Sequence, residues 1–301
     1  MKDKLLANRN LIDTIILIIV GLILGLPLLN SYLNVYIDDG IQHIARASGT
    51  YFSMLGNGFF SGNVISSFSN NFGYSWNLFY GPLTAYGIII FKFICNNFLS
   101  AYKLFVFTCL VLSGITMYKF IFSITRNNNA AILAGILYMT FPYHLTDLYT
   151  RNALGEFVSF IFIPLVFLGL YNLLYTTENH YYLSIGAIGL ILTHNISTAI
   201  VAFFSIIYVG INIKKLKETR VKRGLVLNVL FIVLVTSFFW APLIETKFFT
   251  SYQVYEDGMM ATPEDTGNHG LTITQLFVTR KDGSFVFELG PHIIVMLAFS
   301  I

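Results

Sequence analysis

Residues 157–175 read Phe-Val-Ser-Phe-Ile-Phe-Ile-Pro-Leu-Val-Phe-Leu-Gly-Leu-Tyr-Asn-Leu-Leu-Tyr, nineteen positions without a charged side chain. A helix needs about 20 such residues to cross the hydrocarbon core of a bilayer. The stretch lacks the two-residue alternation of a membrane strand. Working outward, further apolar runs lie at 11–29, 101–122, 130–146, 181–194, 196–213 and 225–243, the shorter ones borrowing flanking aromatics to reach the interface. The composition agrees, with 11% charged and 55% hydrophobic residues and a mean hydropathy of +0.70. A soluble domain carries about 25% charge, so a cytosolic enzyme, a secreted disulfide scaffold and a disordered tail are excluded. The expectation is all-α: a polytopic transmembrane helix bundle forming one integral membrane domain over 1–301. It has seven complete spans and a partial eighth at Pro291–Ile301, too short to cross, so the chain reads as a piece of a longer protein.

Sidedness follows from charge, because Lys and Arg collect in short cytoplasmic loops. The ambiguous segment is 82–98. If it lies along the surface, three basic clusters all fall inside: Lys2/Lys4/Arg9, Lys119/Arg126, and the run Lys214, Lys215, Lys217, Arg220, Lys222, Arg223. If it crosses, the last cluster falls outside. The first arrangement predicts a multi-pass protein of the cell membrane with a cytoplasmic N-terminus. Segment 82–98 is then an interfacial amphipathic helix within an external loop from 30 to 100. A second external loop covers 244–290, and the Gly/Ser/Asn-rich stretch 56–77 reads as flexible loop. The inner loops are short, and no phosphate-cradling Gly-rich motif occurs. Membrane lipids are the expected surroundings, and nucleic acid is not an expected partner. Cys95 and Cys109 read as buried thiols.

Polar constellations fall on the outer face. After the first span comes Asp38-Asp39-Gly40-Ile-Gln-His43-Ile-Ala-Arg46. A helix starting at Gly40 with Asp39 as its cap puts Asp39, His43 and Arg46 on one face. Adjacent carboxylates oppose each other's ionisation, so one of the pair can accept a proton, and the pair with His43 has the chemistry to hold a divalent metal. Trp76-Asn77-Leu78-Phe79-Tyr80-Gly81-Pro82-Leu83 offers an aromatic docking surface. Phe141-Pro142-Tyr143-His144 leads through Asp147 to Arg151-Asn152-Ala-Leu-Gly155-Glu156. There Arg151 has the planar fork suited to phosphate, and Glu156 sits at a helix start that favours its charge. Thr193-His194-Asn195 sets an imidazole between two spans at the same face. The blander reading of each is a helix cap, an interfacial anchor or a solvated turn.

In this order, the pieces resemble the C-type glycosyltransferase superfamily of integral membrane enzymes. That pattern has a first span, then an acidic residue early in a large external loop, a surface helix opened by aromatic-Pro-Leu, and a later polar turn. More narrowly, Asp-Gly-x-x-His, Phe-Tyr-Gly-Pro-Leu, Phe-Pro-Tyr and Arg-Asn-Ala-Leu-Gly-Glu resemble the membrane proteins labelled 6-pyruvoyl-tetrahydropterin synthase-related. The likeness covers residues 1 to about 245. It implies transfer of a sugar from a polyprenyl-phosphate donor to an acceptor outside. Asp38 or Asp39 would be the catalytic base, with a divalent metal optional. His43, Arg46, Tyr80, Arg151, Glu156 and His194 would bind substrate. The pterin synthase chemistry itself needs clustered histidines. The six here (His43, His144, His180, His194, His269, His292) are dispersed, so that activity is not expected. The alternatives are a non-enzymatic factor handling lipid-linked envelope precursors and, behind it, a secondary transporter. Transport is disfavoured because the spans 101–122, 157–175 and 225–243 lack charge through their middles, and Asp13 reads as interfacial.

Overall fold

A computed structural model describes residues 2–30, 39–58, 63–176 and 179–250, and every regular element among them is helical. Helix α1 (Lys2–Gly25) ends in a 3-10 turn (Leu26–Leu29). Next come α2 (Gly40–Asn57), the single turn α3 (Trp76–Phe79) and α4 (Leu83–Lys92). Then follow α5 (Phe98–Thr125), α6 (Asn128–Met139), α7 (Pro142–Tyr149) and α8 (Leu154–Tyr175). The chain continues through α9 (Tyr182–Ile191), α10 (Asn195–Ile211), a 3-10 turn (Ile213–Lys217) and α11 (Thr219–Phe249).

Among the described residues, four helical stretches are long and apolar enough to cross a membrane: Arg9–Leu29, Phe98–Thr125, Leu154–Tyr175 and Thr219–Phe249. Their outward faces are greasy: Leu11, Ile19, Ile23, Leu230, Phe231 and Leu234 are all exposed. Such surface suits lipid rather than water. The other expected spans are shorter than their apolar runs. The run 130–146 divides at Phe141 (φ −59°, ψ 128°), because the residue before a proline is pushed out of the α region. Pro142 then opens α7, where its missing N–H costs nothing. The run 181–194 yields only the ten residues of α9, rising about 15 Å, half a bilayer core. In contrast, α11 continues through Pro242 to Phe249, past the expected end at 243.

Two readings of the loop from 30 to 100 need correction. Helix α4 is not a free surface helix. Ala85, Ile88 and Ile89 are buried as it wedges between α2 and α5. The stretch 56–77 is not slack where it is described. Ile65 is fully buried, and its backbone exchanges hydrogen bonds of 2.9 and 3.1 Å with Tyr74.

Side-chain contacts fix helix directions. Tyr102 meets Asn152 at one end of α5, and Ser123 meets Asn172 at the other, so α5 and α8 run parallel. Helix α9 returns along α8, with Gly189 against Phe162 and Gly169 against Leu183. One end of the bundle therefore gathers residues 39–46, 77–81, 143–156 and 193–197. The basic run 214–223 lies at the other. There Asp13, read from sequence as interfacial, is fully buried. It accepts from Arg9 Nε (3.2 Å), Tyr118 Oη (3.1 Å) and Asn128 Nδ2 (2.9 Å), tying α1 to the α5–α6 turn. Two apolar clusters fill the interior, one around α5 and one between α8, α9 and α11. Cys95 and Cys109 are free thiols.

The α8–α9 seam is close enough that a methyl group on Gly169 would run into the Leu183 backbone, whereas one on Gly210 would meet nothing within 4 Å. Gly169→Ala should therefore lower stability by about 1–3 kcal/mol, the usual cost of overpacking. Gly210→Ala should leave it unchanged. Thermal unfolding of both variants in the same detergent checks the pair.

Candidate functional site

The site is built on the turn that joins α7 to α8. Helix α7 buries His144 and Asp147, one turn apart, on its inner face. Arg151 follows just beyond the end of this helix, its N–H on the Thr146 carbonyl (2.9 Å). Asn152 takes a left-handed conformation (φ 50°), which asparagine tolerates better than most residues. Its side chain accepts from Tyr102 Oη at 3.2 Å. The chain then re-enters helix with Glu156 in the first turn of α8, where the helix dipole favours a carboxylate.

Arg151 draws this turn together. Its Nη1 lies 2.7 Å from Asp147 Oδ1, 3.0 Å from Glu156 Oε2 and 3.0 Å from Tyr143 Oη. Tyr143 Oη in turn donates to Glu156 Oε1 at 2.6 Å. One guanidinium thus serves two carboxyl groups, and Asp147 is the more deeply buried, with 1% exposure and no hydrogen-bond partner for Oδ2 among the described residues. Burial, reinforced by Glu156, raises the Asp147 carboxyl to about 8 against the pull of Arg151.

The residues expected on α2 arrive at the same place. The Asp39 N–H donates to the Arg151 carbonyl (3.3 Å), and its charge is felt by Tyr80 and Tyr102. It holds the N-cap position of α2, but its side chain makes no capping hydrogen bond, a correction to its expected role as helix cap. Asp38 lies outside the described residues. Arg46 points inward, with 1% exposure. Its Nε donates to Asn77 Oδ1 (2.8 Å) and its Nη2 to the Gly81 carbonyl (2.5 Å), and its plane lies 4.7 Å over the Tyr80 ring. Burial lowers it to about 10, which leaves it a cation at neutral pH. His43 meets the Tyr80 ring edge-on at 5.7 Å and is 5% exposed. Burial, with Arg46 adding, pushes its imidazole down to about 3, so it stays neutral. Neither side chain is on the surface. His43 Nε2 and Arg46 Nη1 nevertheless find no hydrogen-bond partner among the described residues.

Tyr80 is the hub, since its phenol feels Arg46, Asp39, Glu156 and Arg151. It reaches them because two glycines let backbones touch. A methyl group on Gly81 would strike the Leu192 carbonyl, and one on Gly155 would sit 2.9 Å from the Thr193 carbonyl and 3.3 Å from Tyr80 Oη. Leu83 N–H donates to Leu192 O (2.9 Å) and Asn195 Nδ2 to Phe79 O (3.3 Å), fastening the first loop onto the α9–α10 turn. His194 caps α10, its Nδ1 accepting from the Ser197 N–H (3.3 Å). Burial lowers its imidazole, with Glu156 opposing. Tyr80 and His194 line a small cavity of about 160 Å³. A second, mostly apolar cavity of about 510 Å³ includes Asn77, Pro82, Tyr86, Leu192 and Phe239 in its lining.

The structure therefore brings Asp39, His43, Arg46, Tyr80, Arg151, Glu156 and His194 into one neighbourhood. Tyr143 and Asp147 belong to it as well. Their spacing at i and i+4 toward Arg151 was the available signal. Asn77, which holds Arg46, left none. Among the described residues no three His, Cys, Asp or Glu side chains converge to hold a metal ion.

Comparison with known proteins matches residues 78–260 to the family described as 6-pyruvoyl-tetrahydropterin synthase related domain, membrane protein. An "Uncharacterized protein" of Lactococcus lactis subsp. cremoris (strain MG1363) is 32% identical over 198 residues. That match takes in 61% of this chain and 32% of the relative, so the chain spans about a third of the length of the curated relative it matches. No solved structure matches.

Asp147 carries a checkable pH dependence. Its folded value of about 8 stands above the ordinary 3.8. Between those limits the unfolded carboxyl is ionised while the folded one keeps its proton, so this group's contribution to stability falls as pH rises. Asp147→Asn should flatten the stability profile across that window, read as thermal midpoint against pH. A slope equal to the wild type's would show that Asp147 is ionised in the folded protein.

Proposed function

The chain belongs to the family of membrane proteins with a 6-pyruvoyl-tetrahydropterin synthase related domain, and from that premise we propose a glycosyltransferase-like protein of the C-type superfamily. It transfers a sugar from a polyprenyl-phosphate donor to an acceptor on the extracytoplasmic face. The observation that carries this reading is the meeting of Asp39, Glu156, Asp147, Arg46, Arg151 and His194 around Tyr80, beside an apolar cavity. Asp39, with Asp38 before it, takes the proton from the acceptor hydroxyl. A donor phosphate enters beside Arg151, whose hold on Asp147 is loosened by the proton that carboxyl retains. Arg46 keeps Tyr80 and the Gly81 carbonyl in register and presents its remaining N–H toward the donor. Glu156 and His194 orient the sugar. The cavity beneath Pro82 and Tyr86 receives the first isoprene units. Fixed dipoles and charges at a partly dehydrated interface stabilise the leaving phosphate better than water does.

Topology completes the reading. In this proposal the α6–α7 pair, α9 with its flanking turns, and α10 are three further crossings beside the four long helices, and the charge rule assigns the N-terminus and the run 214–223 to the cytoplasm. One observation favours a second function, in which the protein handles lipid-linked envelope precursors without chemistry. Arg46 already spends Nε and Nη2 on Asn77 and Gly81, and Arg151 Nη1 is held by Asp147 and Glu156.

Membranes supplied with radiolabelled polyprenyl-phosphate sugar separate the two. Asp39→Asn and, separately, Asp38→Asn should each cut transfer by about 10²–10⁴-fold, the range for lost acid–base catalysis. Full transfer by both variants overturns the assignment of the base. Absence of transfer by the wild type, with precursor accumulating when the protein is deleted, gives the site to lipid handling. Sidedness has its own check. In a Cys95→Ser background, an impermeant thiol reagent added outside should label Thr150→Cys and leave Thr219→Cys untouched. The reverse pattern inverts the topology.

A further inference from the structure

At the end of the bundle away from the site, α10 and α11 do not close on each other. Helix α10 packs on α8 and α9, and α11 on α9, α8 and the 3-10 turn Ile213–Lys217. Between them lies a cleft of about 530 Å³, floored by Leu183, Ala187 and Leu190 of α9 and walled by Val201 of α10 and Val229 and Ile232 of α11. Its only polar side chains are Thr198 and Ser205, and the rest of the lining is hydrocarbon. At the cytoplasmic mouth, formed by Ile213, Leu216 and Leu225, charge changes abruptly. Lys214, Lys215, Lys217, Arg220, Lys222 and Arg223 stand against a single carboxylate, Glu218. Glu218 reaches Lys215 at 3.4 Å and Arg220 at 3.6 Å. Lys214, Lys217, Lys222 and Arg223 make no ion pair among the described residues.

A dry slot that opens beside surplus positive charge has the shape and polarity of a lipid on end. We propose that this cleft binds one anionic diacyl phospholipid, with an acyl chain between α10 and α11 and its headgroup on the basic collar. Charge complementarity selects the class. A zwitterionic lipid fills the slot equally well but leaves the collar's net charge uncompensated. The site stands apart from the polar cluster around Tyr80 and does not depend on the sugar-transfer reading.

The full chain is purified in mild detergent, exposed to equal amounts of phosphatidylglycerol and phosphatidylcholine, and the lipid it retains is measured by native mass spectrometry. The expected result is a preference for phosphatidylglycerol of about fivefold or more, what one basic residue near a membrane surface contributes. Replacing Lys214, Lys215 and Lys217 together by Gln should bring the ratio toward one. Ala202 lines the cleft from an exposed position on α10, so Ala202→Phe should fill the slot and reduce retention of both lipids at an unchanged thermal midpoint. Equal retention of the two lipids by the wild type overturns the proposal, as does retention unaffected by Ala202→Phe. A disulfide forming between Ala202→Cys and Leu297→Cys also overturns it, assigning the cleft to the chain's own last apolar run.

Discussion

One guanidinium holding two carboxyl groups is the constraint on which this architecture turns. Arg151 lies just past α7, and its side chain spans from Asp147 behind it to Glu156 ahead. The pair ties α7 to the first turn of α8, the helix against which α5, α9, α10 and α11 all pack. The Arg151 carbonyl also receives the Asp39 N–H, so the start of α2 is referenced to the same residue. Two charges near one partner in a partly dry setting cannot both be fully compensated. Burial tips the more buried group, Asp147, toward its protonated form.

Around this junction the polar groups form a chain of contacts rather than a set of free side chains. Arg46 braces Tyr80, Tyr80 rests on Gly155, and Gly81 rests on Leu192. A site assembled this way is preorganised, since each side chain is positioned by a neighbour that is itself packed. It also explains why Arg46, which looks available for ligand in the sequence, spends Nε and Nη2 on the protein.

What the sequence made legible follows the strength of the physical signal. Long runs such as 157–175 need no phase information, because an all-apolar helix is apolar whichever way it faces. The start of α2 at Gly40 and the convergence of Asp39, Tyr80, Arg151, Glu156 and His194 toward one end could be read from motif order and helix direction. Helix ends within apolar runs could not. Nothing in Tyr181–His194 marks where α9 stops, since its length is set by its contact with Gly169 and by His194 turning extended to cap α10. The burial of α4 was equally hidden. Its Lys92 and Gly87 argue for an interface, yet Gly87 is there to admit the Phe105 ring. Asn77 and Tyr102 owe their roles to partners 31 and 50 positions away, a distance over which local patterns carry no information.

The network around Asp13 bears on how the chain is made. Arg9 is its neighbour on the same helix, but Tyr118 and Asn128 lie 105 and 115 residues further along. As the ribosome delivers the chain, the first helix enters the bilayer with a carboxyl group whose other two partners have not yet been synthesised. Two of the hydrogen bonds that hold this buried carboxyl therefore form only after the α5–α6 hairpin has followed α1.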